Sequence, residues 1–218
     1  MGHTFGNDYF KFHLIRRHIA SMTPKHKERI KTKIKRIKLA LSADKKLWCG
    51  FYIDGRWLRY IPPQLYLQLD DYSGGLRYFN WFTKNFPDDS CYLSFLLEWT
   101  IVLFKTRRLK EAEKMAFETF CSELTLINIF FGKQVIELNN PEDSNESRQE
   151  VANNHFLYAS SQDNLLDFSE WLHKFVRTKR FILFGKKYID SQKRLETESD
   201  YKKRHYVVDF AHQLLNDF

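Results

Sequence analysis

Asp70–Asp89 reads DDYSGGLRYFNWFTKNFPDD, and Thr106–Glu123 reads TRRLKEAEKMAFETFCSE. Laid over each other, the two segments pair Tyr72 with Leu109, Gly75 with Ala112 and Phe79 with Ala116, each pair 37 residues apart. In both, a large apolar residue is followed three positions later by a tiny one, and four positions after that by another apolar residue. On a helix these positions share one face, and the tiny side chain marks where a neighbouring backbone comes close. The pattern predicts two helices that each pack tightly on a partner, at Gly75 and at Ala112. Upstream of the second, Asp88, Asp89 and Ser90 can cap a helix running to about Phe104. That helix is apolar nearly all round, as expected of one held between neighbours.

The arrangement resembles the second helix of a tetratricopeptide repeat, in two copies over about residues 60–124. The first copy carries the acidic-aromatic turn Asp71-Tyr72, and Pro87 closes it before Asp88-Asp89. The second keeps an Arg-Leu-Lys-Glu-Ala run from Arg108 to Ala112, similar to the family's turn into its second helix, with Trp99 and Leu103 on the face the family packs inward. The resemblance implies a mainly α fold, a right-handed α-solenoid or α-α superhelix, that holds extended peptides or partner helices on its concave face. In the second copy that face would include Ser94, Leu97, Ile101 and Phe104. The carboxylate clamp of some members is absent, because the matching places hold Tyr60, Gln64, Leu97 and Ile101. Two departures stand out. The spacing of 37 exceeds the family's usual length of about 34 residues. Pro62-Pro63 falls where the first helix should already be running, so that helix is expected to be short, from near Gln64 over Leu65 to Leu69.

Towards the N-terminus, charge is concentrated in one run. Ten Lys or Arg and two acids lie between Lys25 and Lys46, a net of +8, which equals the surplus of the whole chain and leaves the rest balanced at 25 against 25. Thr23-Pro24 is a helix start. Ile30, Ile34, Ile37 and Leu41 then form one narrow apolar stripe, and Lys27, Arg29, Lys31, Lys33, Lys35, Arg36 and Lys38 occupy the other faces. A cationic helix of this kind can track a phosphate backbone by releasing condensed counterions, with Trp48 and Tyr52 nearby for stacking. Its apolar side has no Trp or Phe to anchor it in a membrane surface.

Between this helix and the repeats, LWCGFYIDGRWLRYI (Leu47–Ile61) carries Asp54-Gly55, a favoured two-residue turn, between aromatic and β-branched residues. A small β-hairpin is expected over 47–61. Residues 139–150, NNPEDSNESRQE, read as a polar linker. Beyond it, Phe156–Gln162 and Leu165–Val176 are expected as a helix pair. Tyr201–Phe218, with Val207, Phe210, Leu214 and Phe218 at helical steps, is expected as a closing helix. The organisation expected is therefore N-terminal helices over 1–46, hairpin and repeats over 47–138, linker over 139–150 and C-terminal helices over 151–218.

The chain of 218 residues contains 20 Phe, 11 Tyr and 5 Trp, too much aromatic surface to leave in water, so pervasive disorder is excluded. No GxGxxG, GxxxxGK, GxSxG or HExxH pattern occurs, so no phosphate loop, nucleophile turn or metalloprotease pair is encoded locally. His13 and His18 are five apart, about 140° around a helix, and would not share a metal. Cys49, Cys91 and Cys121 have no paired spacing, which argues against both a disulfide framework and a zinc site. The most apolar stretch, Cys91–Phe104, includes Glu98 and reaches only about 21 Å as a helix, short of the ~30 Å hydrocarbon core. With no signal peptide visible, a cytoplasmic setting is the default. The expectation is a non-enzymatic module without metal or cofactor that binds a protein or peptide through Ser94, Leu97, Ile101 and Phe104. The alternative is nucleic-acid binding through the helix at 25–46.

Overall fold

A computed structural model describes residues 22–89, 91, 93–136 and 156–218. His13, His18, the residues before 22 and the linker at 139–150 lie outside the described residues. Among the described residues the chain is mainly α, with nine α-helices, two 3-10 turns and no strand. It divides into two compact units, Met1–Ser90 and Cys91–Phe218, with the boundary falling between the two expected repeats.

In the first unit, α1 (Pro24–Leu47) starts where Thr23 Oγ1 accepts from His26 N at 3.3 Å. It buries the expected stripe, Ile30, Ile34, Ile37 and Leu41, against Leu65, Tyr66 and Tyr78. The hairpin expected over 47–61 is not formed. Asp44 Oδ2 accepts from the backbone N–H of Ile53 (2.9 Å) and Asp54 (3.2 Å). Asp54 in turn accepts from Leu58 N (2.9 Å) and Arg59 N (3.0 Å). Four donors that a strand ladder could have paired are thus held by two carboxylates. Asp54 and Trp57 take left-handed backbone (φ 28° and 56°), and Leu58–Tyr60 closes as a 3-10 turn.

Helix α2 (Ile61–Gln68) begins three residues before Gln64, because Pro62 and Pro63 sit in its first turn, where a missing N–H leaves no helical bond unmade. Asp71 then caps α3 (Tyr72–Asn85), its Oδ1 accepting from Gly74 N at 2.8 Å. The close approach of α2 and α3 is at Gly74, beside the expected Gly75, which is also buried. A Cβ on Gly74 would lie 2.7 Å from Tyr66 Cε1 and 2.2 Å from Asp71 Oδ2. Gly74→Ala is therefore expected to destabilise the protein by about 1–3 kcal/mol in urea unfolding, overriding the roughly 1 kcal/mol that alanine gains in a helix interior. A stabilised variant would mean that Tyr66 has room to move. The far end of the unit is tied by Arg59, whose guanidinium bonds Asp89 Oδ2 (2.8 Å) and Asp54 Oδ2 (3.2 Å). Tyr60 donates to Asp89 Oδ1, and Tyr78 donates to the Arg59 carbonyl. Burial and the Asp89 carboxylate push the Tyr60 phenol up to about 12.

In the second unit, α4 (Leu93–Lys105) and α5 (Leu109–Ser122) form a hairpin through a connection in which Arg107 takes φ 64°. Ala112 and Ala116 are fully buried on α5, and the hydroxyls of Thr100 and Thr119 meet across the hairpin at 3.2 Å. Helix α6 (Leu126–Phe131) ends at Gly132 in left-handed backbone. Phe156–Gln162, expected as a helix, is irregular. Ser160 N donates to the Phe130 carbonyl of α6, outside its own segment, at 2.9 Å. A 3-10 turn (Asp163–Leu165) leads into α7 (Leu166–Phe175). Helices α8 (Lys179–Thr197) and α9 (Tyr201–Asp217) follow, capped by Thr178 and Asp200. Phe117, Phe120, Phe175, Phe181 and Phe218 gather into one aromatic core, with Phe117 stacked on Phe218 at 4.1 Å.

Candidate nucleic-acid interface

Because only one narrow stripe of α1 faces the core, its remaining surface is free to display charge. Lys25, Lys27, Arg29, Lys31, Lys33, Lys35, Arg36 and Lys38 are all exposed. At about 100° per residue, Lys27, Lys31, Lys35 and Lys38 fall on one flank of the stripe, and Lys25, Arg29, Lys33 and Arg36 fall on the other. The two acids of the run compensate little of this. Glu28 pairs with Lys31 at 2.7 Å, an exposed pair of small energetic weight. Asp44 is turned towards the amides of Ile53 and Asp54. Lys45 is occupied elsewhere, bonding Asn85 Oδ1 at 2.9 Å and lying over the Tyr52 ring.

A cleft of about 380 Å³ opens beside the first flank. Ile34, Lys31, Lys35, Lys38 and Leu39 line it from α1; Tyr66, Leu69 and Asp71 line it from α2 and the turn into α3. Leu39 is 60% exposed, an apolar side chain standing among lysines and outside the core stripe. Burial, followed by the nearby Asp71 carboxylate, raises the Tyr66 phenol above its ordinary range. The lysines are legible in the sequence and the cleft is not. The one local signal for it was Leu39, whose position breaks the rhythm of Ile30, Ile34, Ile37 and Leu41.

The stacking residues divide. Trp48 is exposed, but Tyr52 packs against Trp81 and Phe86 and donates to Asn85 Oδ1 at 3.2 Å. The segment after α1 also exposes Phe51 (75%), Ile53 and Trp57.

The residues expected to line an open partner groove are placed otherwise. Leu97, Ile101 and Phe104 are core residues, and Ser94 is half-buried. Phe104 packs on Phe168 and Trp171 of α7, with ring centroids 5.6 and 5.0 Å away. A helix contributed from far along the chain thus covers part of the face that the expected repeat would have left open.

One further titratable group is deeply buried. Glu98 of α4 accepts from Tyr158 at 2.6 Å through Oε1, while its Oε2 is buried with no hydrogen-bond partner. Desolvation pushes this carboxyl up to about 8, against the opposing hydrogen bond from Tyr158. Cys121 is buried and its thiol raised by desolvation, the opposite of what an activated nucleophile needs. Among the described residues no group of three or more His, Cys, Asp and Glu stands placed to hold a metal ion, and no helix is long and apolar enough to cross a membrane. Comparison with protein-family models, with curated proteins and with solved structures finds no match to this chain.

Proposed function

We propose that this protein is a non-enzymatic helical module that binds nucleic acid through the cationic faces of α1. The reading rests on one observation: eight exposed Lys and Arg side chains between Lys25 and Lys38 cover both flanks of a single helix, with one exposed acid among them. Anchoring by the Ile30–Leu41 stripe keeps the helix in place without using any of those charges. Such a surface neutralises phosphates, giving affinity that is sequence-blind and steeply salt-dependent. In this reading the hairpins α2–α3 and α4–α5 are tetratricopeptide-like repeats that serve as scaffold. Support for that comes from their order, their short connections and the small residues Gly74 and Ala112 at buried helix-packing positions.

The test is fluorescence anisotropy with labelled oligonucleotides over a salt series. Four phosphate contacts should give a log–log slope of about −3 to −4. Replacing Lys27, Lys31, Lys35 and Lys38 together by Glu should weaken binding at least tenfold and flatten the slope, with the circular dichroism unchanged. Absence of binding at 50 mM salt would overturn the reading.

A protein partner is the second reading. It is favoured by Trp48, Phe51, Ile53 and Trp57, four large apolar side chains exposed within one short segment, rather than by Leu97, Ile101 and Phe104.

A further inference from the structure

Building on the nucleic-acid reading, we infer that the cleft between α1 and the α2–α3 turn seats one unstacked nucleotide of a single strand. Three features carry this. Lys31, Lys35 and Lys38 stand on successive turns of one cleft wall, their backbone positions about 6 and 4.5 Å apart along the helix axis, with Lys31 also paired to Glu28. Leu39, Tyr66 and Leu69 supply an apolar and aromatic lining that a phosphate alone would not require. Asp71 lines the far side, with Oδ1 engaged by Gly74 N and the Ser73 hydroxyl.

The two kinds of charge sort a nucleotide by its ends. Phosphate is drawn to the lysine wall and repelled by Asp71, while an exocyclic base amino group would take as acceptor Oδ2 of Asp71, the oxygen that does not cap α3. The base itself lies against Leu39 and Leu69 beside the largely buried Tyr66, an apolar contact that offsets part of the stacking it loses on leaving its neighbours. The cleft volume, about 380 Å³, is that of a small-molecule site and not of a groove that could take a duplex. A duplex keeps its bases paired and stacked, so it can use the lysines but not the cleft.

The experiment measures anisotropy of labelled dA, dC and dT 12-mers, a 12-base-pair duplex and labelled AMP, with the full chain and its Leu39→Gln variant. Leu39 is exposed, so the variant is expected to fold, as circular dichroism will check. Single strands should bind at least fivefold tighter than the duplex, with dA and dC ahead of dT. Leu39→Gln should weaken the single strands at least threefold and leave the duplex unchanged. Equal affinity for strand and duplex, indifferent to Leu39→Gln, would overturn the cleft while leaving the nucleic-acid reading intact. Binding of no nucleic acid at low salt would remove both. AMP binding as tightly as the 12-mers would assign the cleft to a free nucleotide and overturn the strand proposal.

Discussion

Replacing Phe181 by alanine is expected to lower the free energy of unfolding by about 3–5 kcal/mol. Phe181 opens α8 one turn after its Thr178 cap and is completely buried. Its ring lies 5.2 Å from that of Phe120, 5.4 Å from Phe175, 5.8 Å from Phe117 and 6.5 Å from Phe218. Those rings come from α5, α7 and the residue after α9, so one side chain touches three separate parts of the second unit. Truncation forfeits the transfer free energy of the ring and opens a cavity whose walls are themselves rigid rings, poorly able to collapse. Against a typical total of about 5–15 kcal/mol, that is a large fraction of stability. Phe181→Leu, which refills most of the space, should cost markedly less. Urea unfolding followed by circular dichroism checks both, and a loss below about 1 kcal/mol for the alanine variant would show that the cluster is not packed as described.

The second large effect concerns Glu98 and has a defined pH window. Its carboxyl is held at about 8 in the folded protein, against an ordinary value of 4.5. Below that ordinary value the folded and unfolded chains are both protonated, and the group is neutral towards stability. As pH rises from there towards 8, the unfolded chain releases a proton that the folded chain retains, so stability falls with pH. Above 8 both forms are ionised and the loss levels off. At pH 7 the accumulated loss is about 3 kcal/mol, from about 1.4 kcal/mol per pH unit. Glu98→Gln keeps an acceptor for the Tyr158 hydroxyl and cannot ionise. It is therefore expected to match the parent near pH 4 and to gain up to about 3 kcal/mol by pH 7. Melting temperatures across pH 4–8 measure this directly. Parallel profiles for parent and variant would refute the assignment.

What was legible in the sequence was whatever depends on neighbours within a few turns. Thr23-Pro24 and the four-residue stripe define α1, and the tiny residues expected at packing positions, Gly75 and Ala112, are both buried, although the close approach in the first hairpin falls one residue earlier, at Gly74. The closing helix is carried by Val207 and Leu214. What was not legible depends on carboxylates and rings arriving from elsewhere. Asp54-Gly55 has the composition of a hairpin turn, but Asp44, at the end of the preceding helix, captures the amides of Ile53 and Asp54, and Asp54 turns its own carboxylate onto Leu58 and Arg59. Leu97, Ile101 and Phe104 do share a helix, as the repeat resemblance implies. Nothing local announces that Phe168 and Trp171, more than sixty residues on, will pack over Phe104. The candidate site divides in the same way, since the lysines of α1 are a local pattern while Tyr66, Leu69 and Asp71 reach the cleft from another helix and its turn.

The carboxylate-held segment after α1 has a bearing on self-association. A chain with 36 Phe, Tyr and Trp residues that displayed Phe51, Ile53 and Trp57 on a two-stranded ribbon would offer an open row of amides beside greasy side chains, the template on which a second molecule can add a strand. Here Asp44 and Asp54 occupy the amides of residues 53, 54, 58 and 59, and the left-handed kinks at Asp54 and Trp57 break any straight run between them. Phe51, Ile53 and Trp57 are then displayed as side chains only, with no ladder on which copies of the protein could stack without limit.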